Sequence, residues 1–444
     1  MKKYGVIFSS LLFLIFFNTA IARSIPPVHS VSLQVGVTNP VLPANKTQKT
    51  YVKVALTGIK TLPNTDRSPI NIALVLDKSG SMQGSRIQAA KQAAIMAIDS
   101  LQVNDIVSVI SYDNFIQVVV PATKASNKHS IRQKINALTA NGSTALYAGV
   151  EQGAVEVKKF MGAQYINRVV LLSDGKANVG LKSVQALAKL GERLGGQGVS
   201  VTTIGLGAGY NEDLMSQLAS YSDGNHAFVK DTNNLSQIFA YEFGDAKSAI
   251  ANNIHITLQC AAGIRPVQVM GRAAMIQGQQ VQVRLNQLPT GQEKFIILEV
   301  EVPASPAESQ RPLLDVSINY FDLRHQITRQ QRAHLAVSFS GSKQVVEEAE
   351  DEEVMSSAAA QVANEMTKEA VKLRDKGQVQ EAKKLLDSSA SYLRGMAEKN
   401  KSEALRQQAE QAQDDADNLG KSDWNVQRKE MREKQFKKDT QQTY

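Results

Sequence analysis

Between residues 70 and 250 short apolar runs alternate with stretches of helical period, and this alternation restricts the fold more than any other feature of the chain. "NIALVL" (71–76) is nearly continuous in apolar character, the pattern of a strand covered on both faces. Over 83–101, Ile87, Ala90, Ala94, Ile95, Ile98 and Leu101 fall on one helical stripe. "DIVSVISY" (105–112) and "FIQVVVP" (115–121) are separated only by Asp113 and Asn114. That spacing predicts a hairpin, and so one antiparallel strand in an otherwise parallel sheet. Helical stretches near 127–138, 143–161, 181–195, 211–220 and 232–249 alternate with the strands "RVVLLSDG" (168–175), "VSVTTIGLG" (199–207) and "HAFVK" (226–230). The pattern predicts a doubly wound α/β domain over 70–250, with a mostly parallel six-stranded sheet.

The flanks have a different period. "VSLQVGV" (31–37) and "YVKVAL" (51–56) alternate apolar and polar residues, with the polar "TNPVLPANKTQKT" between them. From 252 to 340 the period is again two, in "IHITLQ", "QVQVRL", "FIILEVEV", "LLDVSINYF" and "RAHLAVSF". These segments predict a β-sandwich built from 23–69 and 251–342, with the α/β domain inserted into it. Residues 343–420 read as an acidic linker, "VVEEAEDEEV" (345–354), and a helical hairpin, "EAVKLRDKGQVQEAKKLLDSSA" (369–390). The acidic run lacks the ligand alternation and the glycine of an EF-hand loop. The hairpin is similar to one tetratricopeptide unit, too little for a stacked array. Residues 421–444 read as a basic, polar, disordered tail that carries the sole tryptophan, Trp424.

The first 22 residues, "MKKYGVIFSSLLFLIFFNTAIA", contain Lys2 and Lys3, an apolar core and the small-residue site Ala20-Ile21-Ala22. This is the pattern of a secretory signal peptide cut near Ala22, and it predicts a periplasmic or secreted protein. No other apolar run is long enough for a membrane span, so no transmembrane helix is expected in the mature chain. Lys2 and Lys3 also supply two of the eight net positive charges. The remaining excess is spread out, and in "NVQRKEMREKQFKKD" it is mixed with acidic residues, which argues for a solvated helix face and against a nucleic-acid partner. The single cysteine, Cys260, lies on the apolar face of "IHITLQC" and reads as a buried small hydrophobe, so packed cores rather than disulfides must stabilise the chain.

The chemistry concentrates where strands end. Ligands of open α/β sheets bind outside the carboxyl ends of the strands. Asp77 ends the first strand and is followed by Ser79 and Ser81. Asp174 ends "RVVLLSD", and Thr144 lies in the loop "NGSTAL" that leads into a helix. Two carboxylates and three hydroxyls, without His or Cys, form an all-oxygen set suited to Mg²⁺, Mn²⁺ or Ca²⁺ rather than zinc or copper.

"DKSGSM" (77–82), "STALYAG" (143–149) and "LLSDG" (171–175) resemble the metal-ion-dependent adhesion site of von Willebrand factor A domains. The β-rich flanks are similar to bacterial secreted members related to inter-α-trypsin-inhibitor heavy chains. The resemblance implies that Ser79, Ser81 and Thr144 ligate a Mg²⁺-type cation directly. Asp77 and Asp174 would act directly or through water, and an open position would take an Asp or Glu carboxylate from a protein partner. Lys176 and Asn178 read as ordinary loop residues beside the site. An envelope scaffold, with a structural metal and an interacting helical tail, is the alternative. An enzyme with Asp77 as phosphoacceptor is disfavoured, because Ser79 stands where a second, general-acid Asp is needed. The six histidines are scattered, and "GLGAG" (205–209) lacks the Lys-Ser/Thr of a phosphate loop. The expectation is therefore a non-enzymatic binding module of the cell envelope.

Overall fold

The structure, a computed structural model, describes residues 29–60, 67–421 and 423–443. The segment read as a signal peptide lies outside the described residues. The chain opens with β1 (Val31–Val37), β2 (Val41–Pro43) and β3 (Gln48–Gly58). The α/β region follows as β4 (Ile70–Asp77), α1 (Ser85–Asp99), β5 (Ile106–Tyr112), β6 (Ile116–Lys124), α2 (Lys128–Asn136), α3 (Leu146–Lys158), β7 (Ile166–Ser173), α4 (Val184–Gly196), β8 (Ser200–Leu206), α5 (Glu212–Tyr221), β9 (His226–Val229) and α6 (Leu235–Lys247). Seven strands come next: β10 (Ala249–Cys260), β11 (Arg265–Met270), β12 (Ala274–Gln277), β13 (Gln280–Pro289), β14 (Glu293–Val302), β15 (Gln310–Asp322) and β16 (Ile327–Ser340). Five helices complete the chain: α7 (Lys343–Glu348), α8 (Glu352–Asp375), α9 (Val379–Lys399), α10 (Glu403–Asn418) and α11 (Trp424–Thr440).

The α/β sheet has the order β6-β5-β4-β7-β8-β9, parallel throughout except for the edge strand β6, which folds back on β5 as the Asp113-Asn114 hairpin predicts. All eight residues of β4 are buried, because helices cover both faces of the sheet. One face packs Leu74 and Leu76 against Ala90, Ala94 and Phe239 of α1 and α6. The other packs Ala73 and Val75 against Val150, Ala154 and Leu190 of α3 and α4.

The flanking strands form two sheets, β1-β3-β14-β11 and β12-β13-β10-β15-β16-β2. They enclose one core that includes Val52, Val54, Ile256, Leu258, Cys260 and Val316. Strands from before and after the α/β region thus share a sandwich, which is what an insertion requires. The short strands β2, β11 and β12 go beyond the expected pattern. β2 carries only three residues within a polar stretch, and β12 is fully exposed, so neither shows an alternating face in the sequence.

The helical part differs from expectation. The acidic run is not a linker. It spans α7 and the start of α8, where Asp351 caps α8 by accepting from the N–H groups of Glu353 and Val354. The hairpin extends to α8, α9 and α10, joined through small residues such as Ala363, Ala390, Ala409 and Ala412. The end of the chain is not disordered: Trp424–Thr440 form the helix α11, laid against α5, β9 and α8. Its buried face includes Gln427, Lys429 and Gln435, so docking rests on polar pairing that a hydrophobic pattern does not reveal.

Candidate metal centre

The register of the sheet assembles the site. Leu76 of β4 pairs with Leu172 of β7, so Asp77 and Ser173 end neighbouring parallel strands side by side. Ser173 Oγ donates to Asp77 Oδ2 at 2.7 Å, and the backbone N–H of Ser79 donates to Asp77 Oδ1 at 2.8 Å. Asp77 is thereby fully buried with both oxygens engaged. Burial pushes its carboxyl up to about 6 against the pull of the Ser79 and Ser173 hydrogen bonds, and the charge of Asp174 adds to the rise.

A single 3-10 turn, Gly80–Met82, brings the next hydroxyls round. Ser79 Oγ and Ser81 Oγ lie 3.1 Å apart, and Ser81 Oγ donates to Asp174 Oδ1 at 2.7 Å. Thr144 arrives on the loop between α2 and α3. That loop is fixed to the first by two backbone bonds, Gly80 N–H to Gly142 O (2.9 Å) and Asn141 N–H to Lys78 O (2.6 Å). Gly142 has φ +83°, a conformation that favours glycine.

Thr144 and Ser81 face one point. A Cβ built on Gly175 would lie 3.3 Å from Ser81 Oγ and 3.4 Å from Thr144 Oγ1. The absence of a side chain at this position keeps open the space that the hydroxyls border. All five residues expected from the sequence therefore belong to one cluster, with Asp77, Ser79, Thr144 and Asp174 buried and Ser81 exposed. Among the described residues no group of three or more His, Cys, Asp or Glu side chains is arranged to hold a metal. A cation at this cluster must therefore rely on its hydroxyls as well as its two carboxylates.

Three neighbours add to the set. Ser173, unremarked in the sequence, is readable only once β4 and β7 are paired. Asn178 is more than a loop residue: its Oδ1 accepts from Thr144 N–H at 2.8 Å, and its own N–H donates to Thr144 O at 3.2 Å. Arg86 places Nη1 2.6 Å from Asp174 Oδ2. The signal for it was a cation in the first turn of α1, where the helix dipole disfavours positive charge unless a carboxylate compensates. Lys176 is exposed.

Residues 71–240 match the von Willebrand factor type A domain family. The uncharacterized protein sll0103 of Synechocystis sp. is 30% identical over 244 residues, 53% of this chain and 57% of that protein. Inter-alpha-trypsin inhibitor heavy chain H3 of Homo sapiens is 25% identical over 171 residues, 36% of this chain and 19% of that one. The matched regions thus span little more than half of the first relative's length and about a fifth of the second's. The solved structure of a von Willebrand factor type A protein from Catenulispora acidiphila has the same fold, with a TM-score of 0.69 at 15% identity over 84% of this chain and 89% of that one. Residues 71–240 therefore form a von Willebrand factor type A domain, framed by a β-sandwich and a helical region, and part of the chain is similar to inter-alpha-trypsin inhibitor heavy chain H3.

Proposed function

We propose that this protein is exported and that its von Willebrand factor A domain is a metal-dependent binding module of the cell envelope. Domains of this family generally mediate protein–protein contacts without catalysis, often through a divalent cation. In this reading Ser79, Ser81 and Thr144 ligate Mg²⁺, with Mn²⁺ or Ca²⁺ as substitutes. Asp77 and Asp174 act on the ion directly or through water and supply the negative charge. A bound cation would supply a Lewis-acidic position for a partner's Asp or Glu carboxylate.

The observation that carries the reading is the cluster of three hydroxyls and two carboxylates around the space beside Gly175, at the carboxyl edge of a parallel sheet. Neutral hydroxyl ligands leave a dication under-neutralised, so it attracts a further anion. Export rests on the sequence of residues 1–22. Among the described residues no helix is long and apolar enough to cross a membrane.

Calorimetric titration of the purified exported protein with Mg²⁺ and Mn²⁺ tests the site. One ion should bind, and Asp77→Ala should abolish binding. Full affinity in that variant would sink the assignment. The scaffold alternative gains one observation, the docking of α11 on the α/β domain. It predicts a structural cation indifferent to added acetate, whereas the binding module predicts that the Mn²⁺-loaded protein takes up acetate.

A further inference from the structure

Asp174 is shared. Its Oδ1 accepts from Ser81, and its Oδ2 is held by Arg86. Arg86 Nη1 also donates to the backbone oxygen of Ser81 at 3.2 Å. One guanidinium therefore ties together the turn after β4 and the end of β7. It also reaches the end of β8: a Cβ built on Gly207 would lie 3.4 Å from Arg86 Nη2, so that glycine leaves room for the side chain. The carboxylate is fully buried, whereas the Arg86 side chain is 39% exposed. The pair thus sits at the mouth of the cluster, with the cation on the solvent side.

The charge consequence follows from Coulomb's law. Two carboxylates and one guanidinium leave a single net negative charge in place of two. Arginine stays protonated at any accessible pH, so this compensation is permanent. A dication entering the cluster must share Asp174 with a cation already there, which weakens its binding. The same arrangement, once loaded, carries net positive charge and attracts an incoming carboxylate more strongly than a neutralised site would.

We propose that Arg86 is a built-in counter-cation of the metal centre: it lowers affinity for the metal ion and raises affinity of the loaded site for a carboxylate. The inference rests on the reading of the site given under Proposed function. It differs from a purely positioning role, in which Arg86 only orients Asp174 and its loss weakens metal binding.

The test is Arg86→Met in the purified protein, with Mn²⁺ alone as the first probe and acetate on the Mn²⁺-loaded protein as the second, both read by calorimetry. Removing a unit charge in contact with Asp174 should tighten Mn²⁺ binding by about tenfold or more. Acetate affinity should fall in the same variant, and Arg86→Lys, which keeps the charge, should stay near wild type in both. Arg86→Gln replaces the methionine variant if that one does not fold. Unchanged or weaker Mn²⁺ binding without the guanidinium, beside normal binding in wild type, overturns the proposal while leaving the site assignment intact. Binding by Arg86→Met alone supports the proposal in its strongest form. If neither protein binds Mn²⁺, the site assignment fails, and the role of Arg86 with it.

Discussion

Replacing Arg428 with alanine should detach α11 at lower denaturant than the rest of the protein. Arg428 contacts three carboxylates: Glu212 through Nη1, Asp213 through Nη2 at 2.6 Å, and Asp375 through Nη2 at 2.9 Å. Its side chain is only 16% exposed and that of Glu212 6%, so this pair is poorly screened, whereas Asp213 and Asp375 are 35% and 32% exposed and their pairs contribute less. Removing one member of a buried charge pair costs about 3–5 kcal/mol when the other is left alone. Here none is. Glu212 keeps Lys429 at 2.7 Å, Asp213 keeps Arg432 at 3.3 Å, and Asp375 keeps the indole N–H of Trp424 at 3.0 Å. The expected loss is therefore below that range, about 2–3 kcal/mol. Arg428→Lys should recover only part of it, because one ammonium cannot span three carboxylates. The sole tryptophan is a built-in reporter. Trp424 lies at the start of α11, hydrogen-bonded to Asp375 and 5.0 Å from the Arg374 guanidinium, and undocking removes both contacts. In urea, the fluorescence transition of Arg428→Ala should move to lower concentration and precede the far-UV circular dichroism transition. Coincident transitions with an unchanged midpoint would refute the reasoning, since the ion pairs would then contribute nothing net to docking.

Gly209→Ala should cost about 1–3 kcal/mol, because the added Cβ would lie 2.5 Å from the backbone oxygen of Asp174, which cannot rotate away; an unaltered melting temperature would contradict this. Cys260 should resist a thiol reagent at pH 8 until the protein unfolds, since it is buried in the sandwich core and burial pushes its thiol up to about 11; labelling at the rate of a free thiol would contradict the packing. His226 is buried between Tyr210 and Phe436, and burial holds its pKa down at about 4. The unfolded chain binds that proton first, so the contribution of neutral His226 is fully present above about 6.5 and is lost as pH falls from there towards 4, by up to about 3 kcal/mol; His226→Gln should flatten this part of the urea stability profile, and an unchanged slope would refute it.

What could be read from the sequence was what depends on local pattern. Asp77, Ser79 and Ser81 lie within five residues at the end of an apolar run, and Asp174 ends another such run. The period of two in 31–56 and 252–340 likewise marked the sandwich strands, because each buries one face. What could not be read depends on pairing between distant segments. Ser173 becomes a partner of Asp77 only through the β4–β7 register. Arg86 meets Asp174 across 88 positions of sequence. α11 is the clearest case. Lys429 is buried against Glu212 and lies 5.1 Å from the Tyr210 ring, so a residue that by type belongs to a solvated face is part of an interface. Charge complementarity between 423–443 and the first turn of α5 was the only signal, and without the fold neither segment identifies the other.

The docked helix α11 also reaches the neighbourhood of the candidate metal centre. Asn425 Nδ2 donates to Ala208 O at 3.1 Å. Ala208 lies between Gly207, which makes room for Arg86, and Gly209, which abuts the backbone oxygen of Asp174. The loop after β8 is thus pinned by α11 on one side and lies against Asp174 and Arg86 on the other. Contiguity of this kind carries no coupling by itself; coupling needs an element with two arrangements that both sites bias. The loop after β8 is in contact with both the helix and the Arg86–Asp174 pair. Its glycines leave backbone, rather than side chains, against the site, so a displacement of Ala208 would reach Arg86 and Asp174 with no intervening side chain to absorb it. Arg428→Ala therefore separates two roles of the helix: a variant that undocks α11 yet keeps its affinity for Mn²⁺ makes the helix a brace for the fold, whereas a change in that affinity makes the loop after β8 the element through which docking and metal binding act on each other.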